Sequence, residues 1–121
     1  MYSTASLATL TMNGSSKTLT SAGQVLGNLT LSGSITLANA THTVAGNLNL
    51  TGSTITAGTS TVVMTGTSKT IDGGSATLNN LTISGTETLQ NTDLTVSATL
   101  QVDASKSITL NSSRTLTLSN T

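Results

Sequence analysis

A five-residue pattern, apolar-x-apolar-x-Gly, recurs along the chain and constrains its fold more than any other feature. In Leu29-Thr-Leu31-Ser-Gly33, two leucines alternate with small hydroxyl residues before a glycine. Because side chains alternate between the two faces of a strand, each copy presents one apolar face and one small polar face. The glycine suits a positive φ, so each copy predicts a short strand and the corner that ends it.

Seven copies of the pattern begin at residues 10, 29, 48, 62, 81, 100 and 116, and four of the six intervals are 19 residues long. The third interval is 14, after which the series starts again. Residues 9–58 align without gaps on residues 61–110, with 19 identities in 50 pairs. A period of this kind indicates a repeat architecture. We therefore predict one domain, residues 1–121, with internal repeats at 9–58 and 61–110 and a final partial coil at 111–121.

Two all-β architectures fit short strands of this kind. An antiparallel sandwich needs hairpin turns between neighbouring strands, whereas a parallel solenoid needs the same strand to return once per coil. The near-constant spacing favours the solenoid. We predict a right-handed parallel β-helix of about seven short coils, because parallel crossovers are right-handed by strong preference. The seven motif strands should stack on one another, with Leu29, Leu31, Leu48, Leu50, Leu81 and Ile83 buried and Gly33, Gly52, Gly66 and Gly85 at costly corner conformations.

The composition suits thin stacked layers rather than an ordinary globular core. Ser and Thr together make up 46 of 121 residues, there is no Pro, Cys, Trp or Phe, and Tyr2 is the one aromatic residue. Net charge is zero and the four basic residues are scattered, so no footprint for nucleic acid is present. No apolar run approaches the roughly 18 residues of a membrane span, so we expect neither nucleic acid nor a membrane span.

Residues able to do chemistry are few. His42 is the single histidine, and the duplication places it opposite Leu94, which predicts an inward-facing or strand-edge position. Two of the four acids, Glu87 and Asp93, lie opposite Ile35 and Thr41, and no spacing typical of a metal site occurs. We therefore expect no catalytic, cofactor-binding or metal-binding residues, no cofactor and no enzyme activity.

Three other patterns recur. Lys17 and Lys69 occupy equivalent positions of the duplication, which fits a structural or surface contact or a lysine that blunts edge pairing. Asn28, Asn47 and Asn80 each precede a motif strand and are predicted to share one corner, either as a hydrogen-bonded ladder or as ordinary turn residues.

T-x-T triplets, the pattern of ice-binding solenoids, begin at irregular positions. The duplicate also replaces Thr41 with Asp93, which argues against a flat ice-binding lattice.

The repeats at Gly27–Gly33, Gly46–Gly52 and Asn79–Gly85 resemble the Thr/Ser/Gly-rich, N-L-T-[LI]-[ST]-G type repeats of large prokaryotic surface proteins, adhesins and phage fibres. That resemblance implies a parallel β-helix shaft with a structural or adhesive role, at the cell surface, outside the cell or in a virion fibre. The alternative function is a lateral-face binding module for carbohydrate or ice, although carbohydrate platforms usually use exposed aromatics and only Tyr2 is available.

The ends of the chain carry the prediction about partners. Neither end shows an amphipathic helix, a proline or a charge cluster that would cover the last coil of a solenoid. We therefore expect either a head-to-tail homopolymer or contact with neighbouring parts of a longer shaft. In both cases the contact is end to end.

Overall fold

The computed structural model describes residues 7–120, which form fourteen β-strands joined by short turns. Residues 1–6, which include Tyr2, and residue 121 lie outside the described residues. In chain order the strands are β1 (Leu7–Met12), β2 (Lys17–Leu19), β3 (Val25–Leu31), β4 (Gly33–Leu37), β5 (Thr41–Val44), β6 (Leu48–Asn49), β7 (Ser53–Thr56), β8 (Thr61–Met64), β9 (Thr67–Asp72), β10 (Thr77–Ile83), β11 (Thr86–Leu89), β12 (Leu94–Val102), β13 (Ser107–Leu110) and β14 (Leu116–Leu118).

The strands wind into a parallel β-solenoid of about six turns, and no helix occurs among the described residues. Each ladder between them is parallel, and partners are mostly about one turn apart in sequence. The predicted all-β parallel solenoid is thus confirmed, with about six turns rather than seven. Its right-handed winding stays a prediction.

Three faces, which we call A, B and C, are visited in that order in each turn. Face A carries β1, the second part of β3, β6, β9, β11 and β13. Face B carries β2, β4 and β7, then the first parts of β10 and β12, and finally β14; here β10 contacts β7 without a shared ladder. Face C carries the first part of β3, then β5, β8 and the second parts of β10 and β12.

The core is a set of inward-facing apolar columns that run along the solenoid axis. On face A the column passes through Leu10, Leu29, Leu48, Ile71, Leu89 and Leu110. The six apolar residues that the sequence predicts as buried are at most 2 % exposed. Their inward assignment is therefore confirmed.

The prediction that all seven motif strands form one stack is wrong. Leu48 is followed on face A by Ile71, whereas Val62 lies on His42 on face C. The last motif strand, which begins at Leu116, pairs with the strand at Leu94 rather than with Leu100. The pattern marks a strand but not its face, so equal patterns occupy different faces.

The duplicated unit explains this arrangement. From Leu29 the chain makes two full turns, through Leu48 to Ile71, and then passes over face B to reach the equivalent Leu81 on face C. Fifty-two residues therefore span two and two-thirds turns. Each residue and its duplicate lie on different faces, and the 14-residue interval is two-thirds of a turn rather than a short coil.

The predicted glycine corners have two different physical causes. Gly33 and Gly52 have φ of 83° and 78°, as predicted. Gly66 and Gly85 do not adopt a positive φ, so for them the prediction is wrong. A Cβ atom on Gly85 would overlap the carbonyl oxygen of Gly66, and one on Gly66 would overlap that of Ala45. At these two positions glycine is required because adjacent coils approach closely, not because of its backbone conformation.

The asparagine corner is confirmed for two of its three residues. The Asn28 side-chain oxygen accepts a hydrogen bond from the backbone N–H of Asn47 at 2.9 Å, and the Asn47 oxygen accepts one from the N–H of Thr70 at 3.0 Å. Asn80 pairs with Thr61 on face C and so lies at a different corner. The amides bond to the backbone of the next coil rather than to each other.

Candidate functional site

The C-terminal end of the solenoid exposes the ends of its inward columns. Val102, Leu110 and Leu118 are 43 %, 42 % and 54 % exposed, although each lies directly above a buried residue of the preceding coil: Ile83, Leu89 and Val96. β13 and β14 each pair on one side only among the described strands. Their other edges present backbone N–H and C=O groups, so an apolar layer and an unpaired strand edge coincide here.

The N-terminal end has a similar composition but a different shape. Leu10 and Met12 of β1 are half-buried and pack against the core. A cavity of about 270 Å³ opens beside Leu10 and is also lined by Leu19, Leu26 and residues of the turn that follows β2. Within residues 7–120, both β1 and β2 pair with a strand on one side only. Both ends of the solenoid are therefore strand edges over apolar side chains.

The single histidine lies wholly inside the solenoid. This agrees with the inward-facing position predicted from its alignment with Leu94 in the duplication. His42 Nε2 is 2.9 Å from the carbonyl oxygen of Ala38, which can only accept, so this nitrogen carries the proton. His42 Nδ1 then accepts a hydrogen bond from the Ser21 hydroxyl at 2.8 Å. Both buried groups are satisfied, which makes the pair a structural contact. The sequence offered no signal for Ser21, whose duplicate position holds a glycine.

Three of the acids lie apart on the surface of the solenoid or near it. Asp93 forms an ion pair with Arg114, with Nη1 to Oδ1 at 3.4 Å, and also accepts the backbone N–H of Thr115. Asp103 accepts hydrogen bonds from Ser84 and Gln101, which hold the pKa of its carboxyl below the usual range. Among the described residues, no three His, Cys, Asp or Glu side chains cluster as a metal site would require.

Glu87 is different, because it occupies a core position. It faces inward on β11 between Lys69 and Ile108, and only 2 % of it is exposed. Neither carboxyl oxygen has a hydrogen-bond partner in the part of the chain that the structure describes. Burial raises the pKa of the Glu87 carboxyl from its ordinary 4.5 to about 7, and the positive charge of Lys69 partly offsets the rise. The sequence signal for this inward position was the pairing of Glu87 with Ile35 in the duplication.

The two recurring lysines have different surroundings, because the duplicate units lie on different faces. Lys17 is exposed on β2, at the N-terminal edge of face B, and pairs with Ile35 above it. Lys69 is half-buried on face A, below Glu87. Lys17 thus lies where a charge opposes pairing of the free strand edge with another strand. Lys69 instead places a positive charge one coil below the buried Glu87 carboxyl.

Outward-facing hydroxyls form ordered rows on face B. Thr18, Thr36 and Thr56 stack in register on β2, β4 and β7, beside the shorter row of Ser34 and Thr54, and all five are exposed. The duplication does not place a charge in a threonine row, because Thr41 lies on face C and Asp93 directly precedes a strand of face B. The part of face B formed by β2, β4 and β7 is therefore polar and uncharged at its outward positions.

Comparison with known proteins gives no relative: no family model, no curated protein and no solved structure matches this chain. What the fold defines is a parallel β-solenoid with Thr/Ser-rich strands. Between residues 7 and 120 there is no helix long and apolar enough to cross a membrane.

Proposed function

We propose that this protein is a structural building block of an extracellular filament, sheath or fibre, in which solenoid coils stack end to end. The observation that carries the proposal is the C-terminal end, where Val102, Leu110 and Leu118 are exposed above buried columns. Large apolar side chains at this exposure are stabilised when a further coil covers them. The resemblance to repeats of prokaryotic surface proteins, adhesins and phage fibres supports a cell-surface, extracellular or virion location.

The backbone favours the same kind of contact. The free edges of β13 and β14 can accept a parallel strand in the way that each inner strand already does. A contact between unlike ends is heterologous and does not close on itself, so repetition gives an open fibre. A further coil could come from a second copy of this chain or from neighbouring parts of a longer shaft, and the first of these is directly testable.

A paired set of variants tests end-to-end assembly. Leu110→Lys with Leu118→Lys places two charges on exposed residues at the end, while Thr36→Lys with Thr56→Lys places the same charges on the side of the solenoid. We expect the end variant to raise the concentration needed for assembly at least about tenfold, since two leucines lose their burial. The side variant should assemble as the parent does. Sedimentation and negative-stain microscopy measure both, and a parent chain that stays monomeric at high concentration contradicts the proposal.

The second candidate function is a lateral-face binding module for ice or carbohydrate, which the in-register hydroxyl rows of face B favour. Parallel stacking spaces equivalent hydroxyls about 4.8 Å apart, a regular array that an ordered ligand surface could match. The same two variants separate the candidates. If face B is the working surface, Thr36→Lys with Thr56→Lys removes inhibition of ice recrystallisation or glycan retention, and the end variant retains it. Equal behaviour of the parent and the side variant in both assays excludes this candidate.

A further inference from the structure

We propose that a second copy of this chain docks coaxially, with its β1 on β13 and its Leu10 continuing the face A column that ends at Leu110. This inference rests on the proposed end-to-end assembly and adds the strands that meet, their direction and their register. Leu10 and Leu110 are the two terminal members of the same inward column.

The order of the faces selects β13 as the partner of β1. The chain visits faces A, B and C in turn, and its last described strand, β14, lies on face B. The next positions along the helical path are on face C and then on face A, above β13. β1 pairs with β3 from Leu7 opposite Leu26, at the corner of faces C and A, to Met12 opposite Leu31. A copy docked in this way continues the path without omitting or doubling a face.

The chemistry of the two strands agrees with this pairing. β1 reads Leu-Ala-Thr-Leu-Thr-Met and β13 reads Ser-Ile-Thr-Leu, so neither strand carries a charge. Leu10 is half-buried and Leu110 is 42 % exposed, and contact between them would bury both. Outside the core, Thr9 would lie beside Thr109, which continues the hydroxyl stacking seen between Thr88 and Thr109. Face B contributes less to the contact. There β2 of the second copy would lie on the free edge of β14 and bring the charged Lys17 next to it.

The docking fixes the geometry of the fibre. Each copy adds about six turns, and coils stack about 4.8 Å apart, so the axial repeat should be about 29 Å. Successive copies have matching faces, with no rotation from one face to the next. The opposite arrangement, β13 on β13, would give antiparallel pairing and a closed dimer instead.

Engineered cysteine pairs test the register, and the natural chain has no cysteine to interfere. Thr9→Cys with Thr109→Cys places two outward thiols on strands that the proposal makes adjacent, at a Cα separation that a disulfide accepts. Five coil steps separate the two positions within one chain, so a disulfide between them must join two chains. The control, Thr9→Cys with Thr117→Cys, uses β14 on face B in place of β13.

Under mild oxidation we expect a ladder of covalent multimers from the first pair and little cross-linking from the control. Filaments without cross-links in the first pair overturn the register and leave end-to-end assembly standing. Dimers from Thr109→Cys alone overturn the parallel direction. If the parent chain forms no filaments, both the register and the proposed function are wrong. Fibre diffraction from the parent adds an independent readout, since an axial repeat far from about 29 Å also contradicts the docking.

Discussion

Replacing Leu48 with aspartate should unfold the solenoid or destabilise it by at least about 4 kcal/mol. Leu48 lies between Leu29 and Ile71 in the face A column and is 2 % exposed. The substitution removes a buried side chain from the centre of the column and puts an unpaired charge in its place. No basic group lies in that column to compensate it.

The neighbouring residue supplies a matched control. Asn47 is exposed and its side-chain oxygen accepts the backbone N–H of Thr70, a role that aspartate can also fill. Asn47→Asp therefore adds the same charge one residue away, and its effect should stay within about 0.5 kcal/mol. Leu48→Ala gives an intermediate case, with an expected loss of about 2–5 kcal/mol. Denaturant midpoints compare the three variants, and equal midpoints for Leu48→Asp and Asn47→Asp would show that the column does not hold the coils together.

The fold could be predicted because its physical requirement is simple. A parallel coil needs apolar side chains at alternate positions and a corner every few residues, and both are visible in segments such as Leu29–Gly33. The unit of 52 residues was visible for the same reason, since each copy must supply the same layers. Burial of Leu29, Leu81 and Ile83 followed directly from strand alternation.

The stacking partners could not be predicted from the same pattern. Alternation shows which side chains face inward, but every face of a solenoid has inward positions of the same chemistry. Nothing in the sequence around Val62 indicates that this residue lies on His42 rather than on Leu48. The face that a strand occupies depends on how many turns separate it from the preceding copy of the motif. A unit of two and two-thirds turns therefore places each duplicate on another face.

The causes of the glycines were also beyond the sequence. Gly52 and Gly85 end the same motif, yet one has a positive φ and the other lies against the backbone of the adjacent coil. A positive φ disfavours a Cβ atom and a backbone contact excludes one, so both situations favour glycine. The candidate site shows the same limit: the sequence predicted uncovered ends, but the exposed leucines could be named only once the last coil was known.

The second large effect concerns the buried carboxyl. Because burial raises the pKa of Glu87 from 4.5 to about 7, the folded chain binds this proton more tightly than the unfolded chain. The stability that Glu87 contributes is therefore fully present below about pH 4.5, falls as the pH rises to about 7, and is constant above that. The total change is up to about 3 kcal/mol. Asp103 has a lowered pKa, so its contribution is lost only as the pH falls through the acid range below this window.

Glu87→Gln isolates the effect, because glutamine keeps the shape of the side chain and cannot ionise. At pH 8 this variant should be more stable than the parent, and between pH 4.5 and 7 its denaturation midpoint should lose the slope that the parent shows.

Lys69→Met should act in the opposite direction. Without the cation one coil below, the pKa of Glu87 rises further, so the variant loses more stability than the parent as the pH rises, and the loss extends to higher pH. Since Glu87 lies one coil below Ile108 near the C-terminal end, ionisation should loosen the terminal coils first. Hydrogen exchange at pH 5 and pH 8 reads this directly: protection of β11 and β13 should fall more than that of β3 and β6. A slope that Glu87→Gln retains would place the titrating group elsewhere and would mean that the Glu87 carboxyl is solvated.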